Sequence, residues 1–306
     1  MTDESRGKIL ERVWKLIDKA DDRSVTREEA EAFRLKADEL MLRYAIEQAE
    51  LERVKGKPTE EPISRSVQVA SGGVVIRNHL ADLMFSVSRH NRCRSVSHGY
   101  NAPNEHPVHM TVVGFEADVE FAEMLFTSLR LEVANRMWPS ADPSLSYTDN
   151  LILLKESGLK WKEIHHELHK AGLLDEPFAR NVAVRFTKEY TKACKERGRE
   201  RMYVQPVTHQ RSWMTGFNFR IEQRLRESRR RTDEGLREAT KGRGVELVLR
   251  SRTDRVEEAY ESLFPNAKTI RPIEGKLVHG SFDQGDRAGK RVSLGEKGIE
   301  QRAELA

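Results

Sequence analysis

Arg180 and Asn181, at the head of a basic segment, are the residue types best suited to reading a partner's chemistry. The arginine fork matches guanine O6 and N7, and the asparagine amide matches adenine N6 and N7, both in the major groove of duplex DNA. Arg185, Lys188, Lys192 and Lys195 follow at helical spacing around an apolar stripe of Phe178, Val182, Phe186 and Tyr190. Cations in that arrangement hold phosphates and set register rather than specify sequence. Lys160 and Lys162, in the helical segment before, add two further candidate phosphate contacts. Double-stranded DNA is therefore the expected partner.

Such residues need a scaffold, and residues 149–197 read as a helix-turn-helix. Leu151, Ile152, Leu153 and Leu154 form an apolar first helix, which Ser157 and Gly158 end because glycine takes the positive φ of a helix terminus. Trp161, Ile164 and Leu168 give a second helix one apolar face, leaving Lys162, His165, His166 and His169 mostly outside it. After a turn at Ala171-Gly172-Leu173-Leu174, Asp175 is placed to cap the third helix and Pro177 suits its first turn. An ordinary three-helix core with a solvated face would carry the same stripes. Charge separates the two readings. From Arg180 to Arg231 there are 15 Lys/Arg against 5 Asp/Glu, whereas the whole chain carries only +4. Concentration of this kind points to a polyanion.

Catalytic patterns are weaker. His165-His166-Glu167-Leu168-His169 falls short of the His-Glu-x-x-His zinc signature, because Lys170 stands where the second histidine is needed. His98, His106 and His109 with Glu105 would make an open metal site only if a loop gathered them, and their spacing matches no known ligand pattern. Asp118 and Glu120 open a helix, where acidic side chains favour the dipole without a catalytic role. No nucleophile elbow is present. The expectation is a protein without cofactor or enzymatic activity, with a metal-dependent hydrolase as the least favoured alternative.

The 306 residues are 38% hydrophobic and 33% charged, enough for one sizeable core or two modest ones. No apolar run is long enough to span a bilayer and the first residues are too charged for a signal peptide, so a cytoplasmic location is expected. Cys93 and Cys194 are then two unpaired thiols. The fold class expected is α+β, predominantly helical. Residues 1–57 form a helical hairpin, with Ile9, Val13, Leu16 and Ile17 on one helix and Phe33, Ala37, Leu40, Met41 and Tyr44 on the other, started by a Thr26 and Glu29 capping box. Residues 63–140 and 205–270 are two parts of a small mixed domain, interrupted by the helix-turn-helix insert. In the first part, strands are expected over Ile63 to Val69, Arg92 to Ser97 and Val108 to Val113, with helices over Val74 to Val87 and from Gly114 to Met137. In the second, a basic helix over Ser212 to Arg231 precedes a strand over Gly244 to Leu249 and a helix over Asp254 to Phe264. Residues 271–306 read as a flexible, glycine-containing tail.

Three stretches together resemble a bacterial and phage family known only as a domain of unknown function. The first is Lys8-Ile9-Leu10, then Glu28-Glu29-Ala30-Glu31-Ala32-Phe33, Ala37-Asp38-Glu39-Leu40-Met41 and Arg43-Tyr44. The second is Val113-Gly114-Phe115-Glu116-Ala117-Asp118-Val119 leading into Leu125-Phe126-Thr127-Ser128-Leu129. The third runs from Arg211-Ser212-Trp213 through Gly216-Phe217 to Arg224-Leu225, resuming around Leu247 to Val256 and in the glycine-containing tail. The resemblance implies an N-terminal helical-hairpin domain with an associated C-terminal domain, of a type often found in actinobacterial phages, and assigns no catalytic residue. Together these readings lead to a non-catalytic DNA-binding accessory protein in recombination, such as the control of serine-integrase direction, or in transcription control. The alternative is a protein-binding adaptor docking on a DNA-bound partner such as a recombinase. One motif of this size gives limited affinity, which a homodimer or a DNA-bound partner would supplement.

Overall fold

The computed structural model describes residues 3–21, 60–240, 243–269 and 277–292, with isolated positions from 25 to 44. Among them the chain order is α1 (Asp3–Asp21), β1 (Ile63–Ala70), α2 (Arg77–His90), β2 (Arg94–His98), β3 (Val108–Gly114), α3 (Glu116–Arg136), α4 (Tyr147–Glu156), α5 (Trp161–Lys170), α6 (Arg180–Glu196), α7 (Pro206–Thr240), α8 (Arg243–Leu263) and α9 (His279–Arg291). This is a predominantly helical α+β fold. No described helix is long and apolar enough to cross a membrane. Two compact units divide the chain, Met1–Glu132, Asn218–Pro272 and Lys290–Ala306 in the first and Val133–Phe217 with Ile273–Gly289 in the second.

Alternation builds the sheet of the first unit. In β1, Ser64, Ser66 and Gln68 face solvent while Ile63, Arg65 and Val67 turn inward, and in β3 Val108, Met110 and Val112 are fully buried. The strands are antiparallel in the order β1-β3-β2, with Val67 opposite Met110 and His98 opposite His109. Helix α2 lays Leu80, Leu83, Met84 and Val87 into the core. It begins at Arg77, three residues later than its apolar pattern starts at Val74. Val13 and Ile17 of α1 share one buried cluster with Ala37, Met41 and Tyr44 and with Ala117, Phe121 and Met124 of α3. Thr26, the expected start of the second hairpin helix, lies outside the described residues.

One expected strand is a helix. The Val-Glu-Leu-Val-Leu run at 245–249 suits either period, and it continues the helix ending at Leu263. Within α8, Arg252 lies 3.6 Å over the Phe115 ring and Val256 is buried.

The second unit holds the three helices of the helix-turn-helix segment. Ser146 caps α4 by accepting from the Asp149 N–H at 3.1 Å. Gly158 has φ +84 in the following turn, as its position requires. Leu151, Leu154, Ile164, Leu168, Val182 and Phe186 then form one core, with Trp161 edge-on to Phe186 at 5.8 Å.

The expected flexible tail contains α9, which crosses α7 at backbone contact. A Cβ on Gly285 would lie 1.9 Å from the Trp213 carbonyl, and one on Gly216 would lie 2.1 Å from that of Phe282. Both glycines are there because two helices touch, not because the chain bends. Beside the crossing, buried His209 donates from Nε2 to the Met137 carbonyl at 3.0 Å, which leaves Nδ1 to accept from Ser281 at 2.9 Å.

Candidate nucleic-acid interface

Helix α6 has two unlike faces. Val182, Phe186, Tyr190, Ala193 and Cys194 are buried against α4 and α5. Spacings of three and four place Asn181, Val184, Lys188, Thr191 and Lys195 along the opposite side, with Arg180 next to the first. Arg180, Asn181, Lys188 and Lys195 are exposed, and among the described residues none of these three cations pairs with a carboxylate. No acidic residue interrupts the stripe.

The helix starts later than its sequence suggests. Its N-cap is Ala179, whose side chain can accept nothing, so Asp175 does not cap and Pro177 lies outside the first turn. Phe178 sits before the helix, edge-on to His165 at 5.3 Å. Residues 171–179 therefore connect α5 to α6, a longer link than the tight turn of a simple helix-turn-helix. Arg185 and His165 fix this link. Arg185 pairs with Glu176 and, at 3.4 Å, with Glu189, whose carboxylate also accepts from Tyr147 at 2.8 Å. The Glu176 hydrogen bond raises the Arg185 pKa further, and burial followed by Glu189 raises that of the Tyr147 phenol.

His165 is 8% exposed, which corrects its expected outward position. Its Nε2 donates to the Glu176 carbonyl at 2.7 Å, so it packs the link in place while His166 and His169 remain on the surface.

The other expected phosphate contacts divide. Lys192 is exposed but 3.8 Å from Glu196, on the flank of the stripe. Lys160 and Lys162 are exposed at the start of α5, where the Lys160 N–H donates to Glu163 at 2.7 Å. Just beyond α6, Arg197 is tied to Asp149 at 2.6 Å and Arg199 to Glu156 at 2.9 Å. These pairs clasp the segment after α6 to α4. The Ser146 hydrogen bond and then Arg197 lower the Asp149 pKa, whereas burial raises that of Glu156 against the pull of Arg199. Charge alone did not single out Val184 and Thr191. The three-and-four spacing from Asn181 to Lys195 is the signal that includes them.

The histidine loop of the first unit has a structural organisation. Arg77, 5% exposed, donates to the carbonyls of Ala102, His106 at 2.8 Å and Gly99 at 3.5 Å. Tyr100 donates to Asp82 at 2.9 Å and Asn78 to Asn101 at 2.9 Å. His98 contacts Thr111 at 3.0 Å, and among the described residues no group of three or more His, Cys, Asp or Glu is arranged to hold a metal.

No curated protein and no solved structure matches the chain. Residues 8–48, within the stretch expected to form the N-terminal hairpin, match the model of a family described as a protein of unknown function (DUF2786).

Proposed function

We propose that this chain is a non-catalytic accessory protein that binds duplex DNA through the outward face of α6, in recombination or transcription control on a bacterial mobile element. The observation that carries this reading is the outward stripe on α6, with exposed Arg180 and Asn181 at one end, exposed Lys188 and Lys195 behind them and no acid among them. A recognition helix needs a buried face for its scaffold and an opposite face for phosphates and base edges. In this reading Arg180 and Asn181 meet base edges, while Lys188 and Lys195 meet phosphates. Lys160, Lys162 and Lys192 are peripheral cations, and Arg185 acts mainly by holding α6 to its preceding link.

Selection of random duplexes on the purified full chain tests the proposal. A selected site is expected, and Arg180→Ala with Asn181→Ala should lower discrimination at the matching base pairs by about 1–3 kcal/mol for each lost bidentate contact. Absence of both sequence enrichment and any salt-dependent duplex affinity would sink the reading. Retained binding to a recombinase under those conditions would favour the adaptor instead.

A further inference from the structure

Val184 is 51% exposed, yet it is the apolar member of an otherwise polar stripe, one step along from Asn181. A β-branched side chain there brings no helix propensity, and on the solvated face it takes no part in the core formed by Val182, Phe186 and Tyr190. Its neighbours along the stripe are Asn181, three residues before, and Lys188, four residues after. At a rise of about 1.5 Å per residue, Val184 lies about 4.5 Å along the axis from Asn181, close to the spacing of neighbouring base pairs.

Among the base edges of the major groove, thymine alone presents an apolar group, its C5-methyl. The stripe offers one apolar side chain between a base-reading amide and a phosphate-binding ammonium. We infer that Val184 contacts a thymine methyl at, or one base pair from, the position read by Asn181. This rests on the DNA-binding reading and adds a base preference to it. The absence of acids and the presence of Arg180, Lys188 and Lys195 make duplex DNA the occupant of this face.

The test replaces thymine by deoxyuridine in the selected duplex, one position at a time, which removes the methyl and leaves pairing intact. Affinity of the wild-type chain should fall about fourfold at one position, the share of one buried methyl group. With Val184→Ser that penalty should vanish, while the response to salt stays the same. Val184→Ala should give an intermediate penalty. A selected site without thymine near the Asn181 position, no penalty at any position, or a penalty that persists in Val184→Ser would each overturn the inference while leaving DNA binding intact. Absence of duplex binding by the wild-type chain would overturn the underlying reading instead, and this inference with it. The uracil substitutions alter only the DNA, so the wild-type result does not depend on how a variant folds.

Discussion

At the residue scale, the clearest consequence of burial outside the candidate interface is at Asp82. Its carboxyl accepts from Tyr100 at 2.9 Å and has a pKa pushed up to about 6, first by burial, with the Tyr100 hydrogen bond opposing and Glu222 adding to the rise. A carboxyl whose folded pKa exceeds its unfolded value stabilises the fold when protonated. That contribution is fully present below the unfolded value of 3.8 and is lost as pH rises through about 6. The span corresponds to at most about 3 kcal/mol. Asp82→Asn keeps an acceptor for Tyr100 but carries no charge, so it should melt higher than wild type at pH 8 and nearly together with it at pH 4. Melting curves at the two values check this, and a constant difference would rule out the carboxylate as its source. His90 works in the opposite direction. Burial lowers its pKa to about 4, while its Nδ1 donates to the Leu225 carbonyl at 3.0 Å. Its contribution is present above the unfolded value of 6.5 and is lost as pH falls through about 4. The two groups partly cancel in wild type, so the Asp82 effect has to be read as a difference between variants.

At the element scale, α9 gives a prediction in which two glycines of one helix behave differently. A Cβ at Gly285 would strike the backbone of α7, whereas one at Gly280 would meet nothing within 4 Å. Gly285→Ala should therefore destabilise by about 1–3 kcal/mol or more, the cost of overpacking against atoms that cannot swing aside. Gly280→Ala should be neutral or slightly stabilising, since alanine restricts the unfolded chain and suits a helix. Denaturant titration of both variants decides it, and two neutral substitutions would mean that the tail does not dock. This is also the place where sequence reading reached its limit. The strands were legible because Ile63, Val67 and Val69 alternate with polar residues, and the α1 stripe because Val13 and Ile17 repeat at helical spacing. Gly285 was not legible, since a glycine at a helix crossing and a glycine in a linker look alike until Trp213 is seen beside it. The 245–249 run misled for a different reason, as five residues are too few to separate two periods. On the candidate interface, the basic stripe of α6 could be read from local spacing. The burial of His165 and the pairing of Arg185 with Glu176 could not, because both depend on the path of residues 171–179.

At the scale of the whole molecule, the proposed DNA binding requires a chain of net charge only +4 to hold a polyanion. Its 15 Lys/Arg and 5 Asp/Glu between Arg180 and Arg231 place an excess in one stretch, but the structure withdraws several of those cations from the count. Arg185, Arg197 and Arg199 already face carboxylates, and such partly exposed pairs contribute little to stability while masking charge. Lys188 and Lys195 remain exposed on α6, so they should carry a measurable part of the phosphate binding. Each phosphate neutralised releases counterions, and the slope of log affinity against log salt is about −0.9 per contact on duplex DNA. Changing Lys188→Gln together with Lys195→Gln should therefore make the slope shallower by nearly two and weaken all sequences alike. Asn181→Ala should leave the slope unchanged and flatten the base preference instead. Binding isotherms on a selected and a scrambled duplex, each at several salt concentrations, separate the two behaviours. A double-lysine variant with the wild-type slope would place the phosphate contacts on another surface, and α6 would then lose its role as the docking helix.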